Sequence, residues 1–305
     1  MPLVAMWSNG AVSSSPPVMA FLDTLKSFGY AVGNNIALEW RLLDSRAVPN
    51  DVVAQELVAL KPAAIVVSGT PTIVALAERT HSIPLISCLP HRSLVSLGLA
   101  ASAAHPGSNV TGTEGKDDYY AKMVELLEAT VPSLKRVAYL RNPATPGTDG
   151  PMAIAQAAAG VLGLEFVELQ ARNFDDIGAA FARADAIHAE GMVVATDTAF
   201  TSGGDAFPAA DPLMALPLRY HLPVIYSNGD GFVASGGLMG FGVDLRDSYA
   251  RAATYVDKIL RGAAVGELPI EESMVFDVSL NMRTARALGI SFPAEVLAQA
   301  NLIIQ

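Results

Sequence analysis

Residues 63–72 read Ala63-Ala64-Ile65-Val66-Val67-Ser68-Gly69-Thr70-Pro71-Thr72. Five apolar residues without a polar interruption describe a strand covered on both faces, because a half-exposed strand would alternate. Gly69 then permits a tight turn, and Pro71 sits where a helix opens and its missing N–H costs nothing. A buried strand that passes through a polar turn straight into a helix is the repeating unit of a parallel α/β sheet.

That unit is present twice. Met192-Val193-Val194-Ala195-Thr196-Asp197-Thr198 answers Ala64 to Thr70, and Val137-Ala138-Tyr139-Leu140-Arg141-Asn142 answers Val4-Ala5-Met6-Trp7-Ser8-Asn9. Leu164-Glu165-Phe166-Val167 pairs in the same way with Ile36-Ala37-Leu38-Glu39, and Leu222-Pro223-Val224-Ile225-Tyr226-Ser227 with Ile83-Pro84-Leu85-Ile86-Ser87-Cys88. Four strands in one order, repeated, predict two doubly wound Rossmann-like lobes of the α/β class with a ligand cleft between them. Between the strands run helical periodicities. Ser15 and Pro16 open one that carries Val18, Phe21, Leu25 and Phe28 and closes at Gly29, and Asp51 to Leu60 forms another. Asp247 to Arg261 reads as a long helix crossing back to the first lobe, together with Gly237 to Phe241. Ser273 to Val278 reads as one more strand, and the helical stretches Met282–Leu288 and Ala294–Ala300 as packing on the second lobe. The predicted division is 1–112 plus 237–268 for the first lobe and 113–236 plus 269–305 for the second, with Asn109-Val110-Thr111-Gly112 as the first crossover.

Composition narrows the function. With 51% apolar and 16% charged residues the chain is too apolar for disorder. A positive mean hydropathy of +0.35 is spread over Ala and Val, and no run approaches the roughly 18 apolar residues of a membrane span. A net charge of −10 without a Lys/Arg cluster argues against nucleic acid. The single Cys88 precludes an intrachain disulfide, and no zinc-like spacing occurs, so no metal is expected. His81, His105, His188 and His221 are scattered. Gly236 to Gly242 lacks the spacing of a phosphate-binding fingerprint, and no nucleotide or other cofactor is expected. Cys88 with His91 at a strand end leaves open a cytoplasmic enzyme with a thiol nucleophile, although a buried free cysteine is more often packing.

The strand ends carry the candidate ligand groups. Ser68, Gly69, Thr70 and Thr72 place hydroxyls and free N–H groups at a helix start, which suits a carboxylate, or equally describes a helix cap. Asp197 and Thr198 occupy the equivalent turn of the second repeat, where an Asp suits an ammonium or serves as a turn acceptor. An anion site and a carboxylate on opposite sides of one cleft suit a zwitterion. Asn9 and Asn142 end the two matching first strands, with Ser13, Ser14 and Ser15 or Thr145 and Thr148 after them. Tyr226 and Asn228 end a later strand and offer an aromatic wall, whereas Trp7, on a buried strand, is read as core.

These residues resemble a known family, the substrate-binding proteins of ABC transporters of the tryptophan/tyrosine-binding kind. Phe28-Gly29-Tyr30, Gly33-Asn34-Asn35-Ile36 and Glu39-Trp40-Arg41 are similar to the family's opening, and Gly69-Thr70-Pro71 to its GTP turn. Pro106 to Gly112 resembles its RPGGNVTG segment, Ala234 to Met239 its AGGLM segment, and Arg251 to Leu260 with Gly262-Ala263 its RAAxYVDKILxGA helix. The resemblance implies a periplasmic-binding-protein type I fold, no catalysis, a small polar or amphipathic ligand such as an aromatic amino acid or related carboxylate, and a membrane permease as partner. It also implies a monomeric, periplasmic protein whose signal segment has been removed. In that family the ligand's carboxylate lies near the GTP turn and its amino group near an acidic residue of the other lobe, positions matched by Thr70 and Asp197. Leu89-Pro90-His91 stands where many members carry GDP, which adds His91 to the ligand-binding candidates. A ligand-sensing regulatory domain of the same fold is the further alternative.

Overall fold

Val4, Ala5, Met6 and Trp7 are each no more than 1% exposed, so the N-terminal apolar run is a strand covered on both faces, as its unbroken hydrophobicity predicts. The computed structural model describes residues 1–9, 15–43, 48–88, 93–115, 119–145, 147–200, 211–227, 229–273 and 275–305. Among these, 1–115 with 244–275 form one compact unit, and 119–200, 211–243 and 276–305 form the main body of a second.

Along the chain, the first unit contains β1 (Leu3–Asn9), α1 (Pro16–Ser27), β2 (Ala37–Leu43), α2 (Asn50–Ala59), β3 (Ala64–Ser68), α3 (Thr70–Ala77), β4 (Leu85–Cys88) and β5 (Val110–Glu114). The second follows with α4 (Tyr119–Thr130), β6 (Arg136–Arg141), α5 (Asp149–Val161), β7 (Glu165–Gln170), α6 (Ile177–Ala186), β8 (Gly191–Val194), α7 (Pro212–Arg219), β9 (Val224–Ser227), α8 (Asp230–Ala234) and β10 (Met239–Val243). The chain returns to the first unit for α9 (Leu245–Leu260) and β11 (Glu271–Glu272), and ends in the second with β12 (Phe276–Asn281), α10 (Met282–Ala287), α11 (Ala294–Leu297) and β13 (Leu302–Ile304).

The first sheet has the order β11-β5-β4-β3-β1-β2 with every pair parallel, and the second the order β13-β12-β10-β9-β8-β6-β7. Within them the runs β4-β3-β1-β2 and β9-β8-β6-β7 place corresponding strands in the same order, so the sequence repeat is a structural repeat. The inner strands β1, β3, β4, β6, β8 and β9 each feed two cores. In the first unit Ala5, Trp7, Ile65 and Val67 pack against Val53 and Leu57 of α2 and Ile73 and Leu76 of α3. Val4, Met6, Ala64, Val66 and Cys88 pack against Val18, Phe21 and Leu25 of α1 and Ala252 and Val256 of α9. In the second unit Ala138, Leu140, Met192 and Val194 meet Phe181 of α6 and Leu213 of α7. Val137, Tyr139, Val193 and Ile225 meet Met123 and Leu127 of α4 and Ala155 of α5. Helices on both faces of a parallel sheet leave the carboxyl ends of the strands as the place where polar groups gather.

The predicted helix boundaries hold at α1 with one difference. Gly29, at φ 89°, closes the helix, and the Tyr30 N–H reaches back to the Leu25 carbonyl. Ser15 precedes the first helical residue, but its side chain makes no capping hydrogen bond. Pro17 occupies the second helical position and has no N–H for a cap to satisfy.

Three other readings are changed by the structure. Residues 109–112, read as a crossover, lead into and form most of β5, whose residues are all buried. The Asn109 amide fastens its start to the Thr80 and Ile83 carbonyls, and the Thr111 hydroxyl donates to the Leu268 carbonyl. The stretch read as returning to the first lobe at Gly237 instead makes β10 in the second sheet, because Gly240 and Gly229 let two backbones approach closely beside β9. The strand expected over Ser273 to Val278 begins only at Phe276, and a separate two-residue strand precedes it. Glu271–Glu272 pairs with β5, Ser273 is tied to the Glu114 carbonyl and the Ser248 hydroxyl, and β12 then runs antiparallel to β10. Sheet membership thus changes after Val243 and after Glu272, where the sequence reading placed 237 and 269.

Candidate functional site

In the first unit the polar groups collect where β1 and β3 end side by side, with Trp7 opposite Val67 in the register. Gly69 has φ 92° and ψ 147°, in the positive-φ region that favours glycine, and this turn delivers the chain into α3. Thr70 and Thr72 are fully buried. The Thr72 hydroxyl donates back to the carbonyls of Ser68 and, at 2.7 Å, Gly69, so its proton serves the turn. Ser68 Oγ donates to Ser8 Oγ at 3.1 Å, and Ser8 lies 2.8 Å from the Tyr249 hydroxyl, supplied by α9. The opening of α3 lies at this turn, and the helix dipole there favours an anion. The side chain of Asn9 and the whole of Ser13, Ser14 and His91 lie outside the described residues.

The second unit gathers Asn142 and Asp197 directly, as the repeat suggests. Asp197 Oδ1 accepts from the Asn142 amide at 3.2 Å and from the Ala199 N–H at 2.9 Å, and Oδ2 accepts from the Thr145 hydroxyl at 2.6 Å. Asn142 is itself fixed, its Oδ1 accepting from the Ala144 N–H. Thr148 donates to the carbonyls of Asn142 and Thr145 and accepts from the Arg141 guanidinium at 2.8 Å. Arg141 is 9% exposed and spans Glu168 on β7 and Asp149 on α5. Thr196 ties the ends of β8 and β9 together through Ser227, its N–H donating to the Ser227 hydroxyl and its own hydroxyl to the Ser227 carbonyl. The side chain of Thr198 and all of Asn228 lie outside the described residues.

Tyr226 is not gathered with them. Its ring is fully buried and stacked on Phe232 at 5.0 Å, and its hydroxyl donates to the Leu213 carbonyl at 2.6 Å. Burial, and after it the carboxylate of Asp211, pushes the phenol well above its ordinary range. Tyr226→Phe is therefore expected to cost about 1–2 kcal/mol of stability in a denaturant titration and to leave ligand affinity unchanged. A loss of affinity without a loss of stability would put the ring in the site instead.

Cys88 is buried in the core beneath α1 and α9, and burial pushes its thiol far above the usual thiol range. Protonated and enclosed, it is unsuited to nucleophilic attack. Among the described residues no cluster of three or more His, Cys, Asp or Glu side chains could hold a metal, and no helix is long and apolar enough to cross a membrane. Ser8 and Tyr249 are not among the candidates that the sequence offers, and Thr145 is offered only as a cap or ligand contact, not as a partner of Asp197. Thr145 and Thr148 stood out only as hydroxyls preceding a helix, and Tyr249 carried no signal at all, since a helical tyrosine in an apolar stripe reads as core.

The family model described as ABC transporter substrate binding protein matches residues 14–304. The chain belongs to this family. Its members are binding proteins and not enzymes, working with a small ligand and an ABC transporter. This substrate-binding protein is 23% identical, over 272 residues covering 88% of it and 75% of the relative, to a tyrosine-binding protein of Clostridioides difficile. Among solved structures it is similar to an ABC domain from Streptococcus pneumonia in complex with L-Trp, with 20% identity, 99% of each chain covered and a TM-score of 0.86. It is also similar to a ligand-free, open substrate-binding protein with adhesive properties from Clostridium difficile, with 20% identity, both chains fully covered and a TM-score of 0.70. These likenesses show the periplasmic-binding-protein type I fold, two α/β units with largely parallel sheets.

Proposed function

We propose that this substrate-binding protein takes an aromatic α-amino acid as its zwitterion and hands it to a membrane permease from outside the cytoplasm. The observation that carries the reading is Asp197, a carboxylate at a strand end whose partners among the described residues, Asn142, Thr145 and the Ala199 N–H, are all neutral. An anion held by neutral donors keeps its charge for a cationic ligand group. The opening turn of α3, taken by itself, favours an anion such as a carboxylate, by about 0.3–1 kcal/mol at a helix N-terminus and more where partly buried. The ligands of the relatives, tyrosine and tryptophan, favour an aromatic amino acid over other zwitterions.

Calorimetric titration tests this directly with L-tryptophan, L-tyrosine, 3-(indol-3-yl)propanoate and tryptamine. At least one amino acid is expected to bind saturably. For tryptophan, the analogues lacking the amino or the carboxylate group are expected to be weaker by about tenfold or more, since each loses a charge-assisted hydrogen bond. Binding that ignores either charge, or no binding of any aromatic amino acid, would overturn the reading.

A further inference from the structure

A carboxylate oxygen has two lone-pair positions in its plane. Asp197 Oδ1 has both engaged, by the Asn142 amide at 3.2 Å and the Ala199 N–H at 2.9 Å. Oδ2 has one engaged, by the Thr145 hydroxyl at 2.6 Å, and among the described residues it keeps the other. We propose that Thr145 is a positioning residue that fixes the plane of Asp197 with a single Oδ2 lone pair open, so that the site prefers an ammonium, which needs one oxygen, to a guanidinium or amidinium, which pairs best with two. This rests on the reading that Asp197 meets the ligand's cationic end.

The selectivity follows from geometry. A tetrahedral ammonium can give one N–H to one oxygen and turn the others elsewhere. A planar guanidinium binds a carboxylate most strongly through two parallel hydrogen bonds, one to each oxygen, and loses that mode where one oxygen is already engaged. Oδ1 is closed to it. Thr145 is itself held in place: its N–H reaches the Asn142 carbonyl at 3.3 Å, and its carbonyl accepts from Thr148 at 3.2 Å. Thr148 in turn is gripped by Arg141, which Glu168 and Asp149 anchor at 2.8 and 2.9 Å. The plane of the carboxylate is thus set by a line of partners that starts on the edge strand β7.

Thr145→Val keeps the shape and removes the donor, whereas Thr145→Ser keeps the donor. In calorimetry with L-tryptophan, Thr145→Val is expected to bind about fivefold or more weakly and Thr145→Ser within about twofold of the wild type. The Nα-guanidino counterpart of tryptophan is expected to bind the wild type about tenfold more weakly than tryptophan itself. Ligand-free crystal structures of the wild type and Thr145→Val supply a second readout, in which the Asp197 carboxylate is expected to rotate once the hydroxyl is gone. Thr148→Val, which loosens Thr145 from behind, is expected to give the same rotation and serves if Thr145→Val does not fold. Unchanged affinity in Thr145→Val, an unmoved carboxylate, or equal binding of the guanidino compound overturns the inference. If the wild type binds no aromatic amino acid, the proposed ligand class falls, and the pair of crystal structures alone decides whether Thr145 positions Asp197.

Discussion

Asp197→Ala is expected to weaken L-tryptophan binding by roughly ten- to a hundredfold, the loss of one charge-assisted hydrogen bond worth about 1.5–3 kcal/mol. The same substitution is expected to leave 3-(indol-3-yl)propanoate, which has no ammonium to lose, within about twofold of its wild-type affinity. The contrast between the two ligands matters more than either value. Alanine also strips an acceptor from Asn142, Thr145 and the Ala199 N–H, and any general loosening of the turn would weaken both ligands together. Asp197→Asn sharpens the comparison. An amide in the original plane would keep Oδ1 as acceptor for Asn142 and the Ala199 N–H, but it would turn two N–H donors toward both the Thr145 hydroxyl and the ligand ammonium. It is therefore expected to be at least as damaging to tryptophan as Asp197→Ala. Calorimetry on the three proteins with the two ligands is sufficient, and an equal loss for both ligands in Asp197→Ala would remove this residue from the ligand's amino group.

The strand repeat was legible because buried parallel strands are written as unbroken apolar runs, but the register moves the match by one residue: Met192-Val193-Val194 takes the position of Ile65-Val66-Val67, where the sequence alone set Met192 against Ala64. The pairing of Asn142 with Asp197 was legible at one remove, since both end strands of one repeat and the strands β6 and β8 are neighbours. Which way Tyr226 faces was not legible. Val224 and Tyr226 share one face of β9, and Ile225 lies on the other. With helices over both faces of the sheet, alternation says only that Tyr226 goes with Val224, and hydrophobicity cannot say that neither face is open.

The points where the chain changes sheet were hidden for a related reason. Glu271–Glu272 joins the first sheet and Phe276–Asn281 the second, yet a strand's own residues carry no mark of the sheet that receives them. The contact of Thr145 with Asp197 was hidden because it joins residues more than fifty positions apart in sequence. Tyr249 was hidden because a single hydroxyl on α9 meets Ser8 only after the chain has left the first unit and returned to it.

The largest effect on stability is expected at Gly112, in the strand that sequence reading took for a linker. Gly112 lies opposite Ser87 in the β4–β5 register and has φ +123°. A Cβ there would stand 2.3 Å from the Ser87 carbonyl oxygen and 2.5 Å from its nitrogen. Both are backbone atoms of a neighbouring strand, so no side chain can swing aside, and relief requires the two strands to part. Strand separation would pull on the contacts around β5, including the Leu85 N–H to Asn109 carbonyl bond and the hold of Thr111 on the Leu268 carbonyl. Strain at such a φ costs about 1–3 kcal/mol and overpacking a further 1–3 kcal/mol or so. Gly112→Ala is thus expected to lose about 4 kcal/mol, a large share of the roughly 5–15 kcal/mol that holds an ordinary fold. Gly163 provides the control, because it too has positive φ, +71°, but nothing lies within 4 Å of its added Cβ. Gly163→Ala should lose only the conformational part, about 1–2 kcal/mol. Thermal unfolding followed by circular dichroism separates the two, with Gly112→Ala expected to melt lower than Gly163→Ala by about 5–10 °C. Equal melting temperatures would mean that β5 does not press against β4 at this position, and that the glycine is needed for its backbone angle alone.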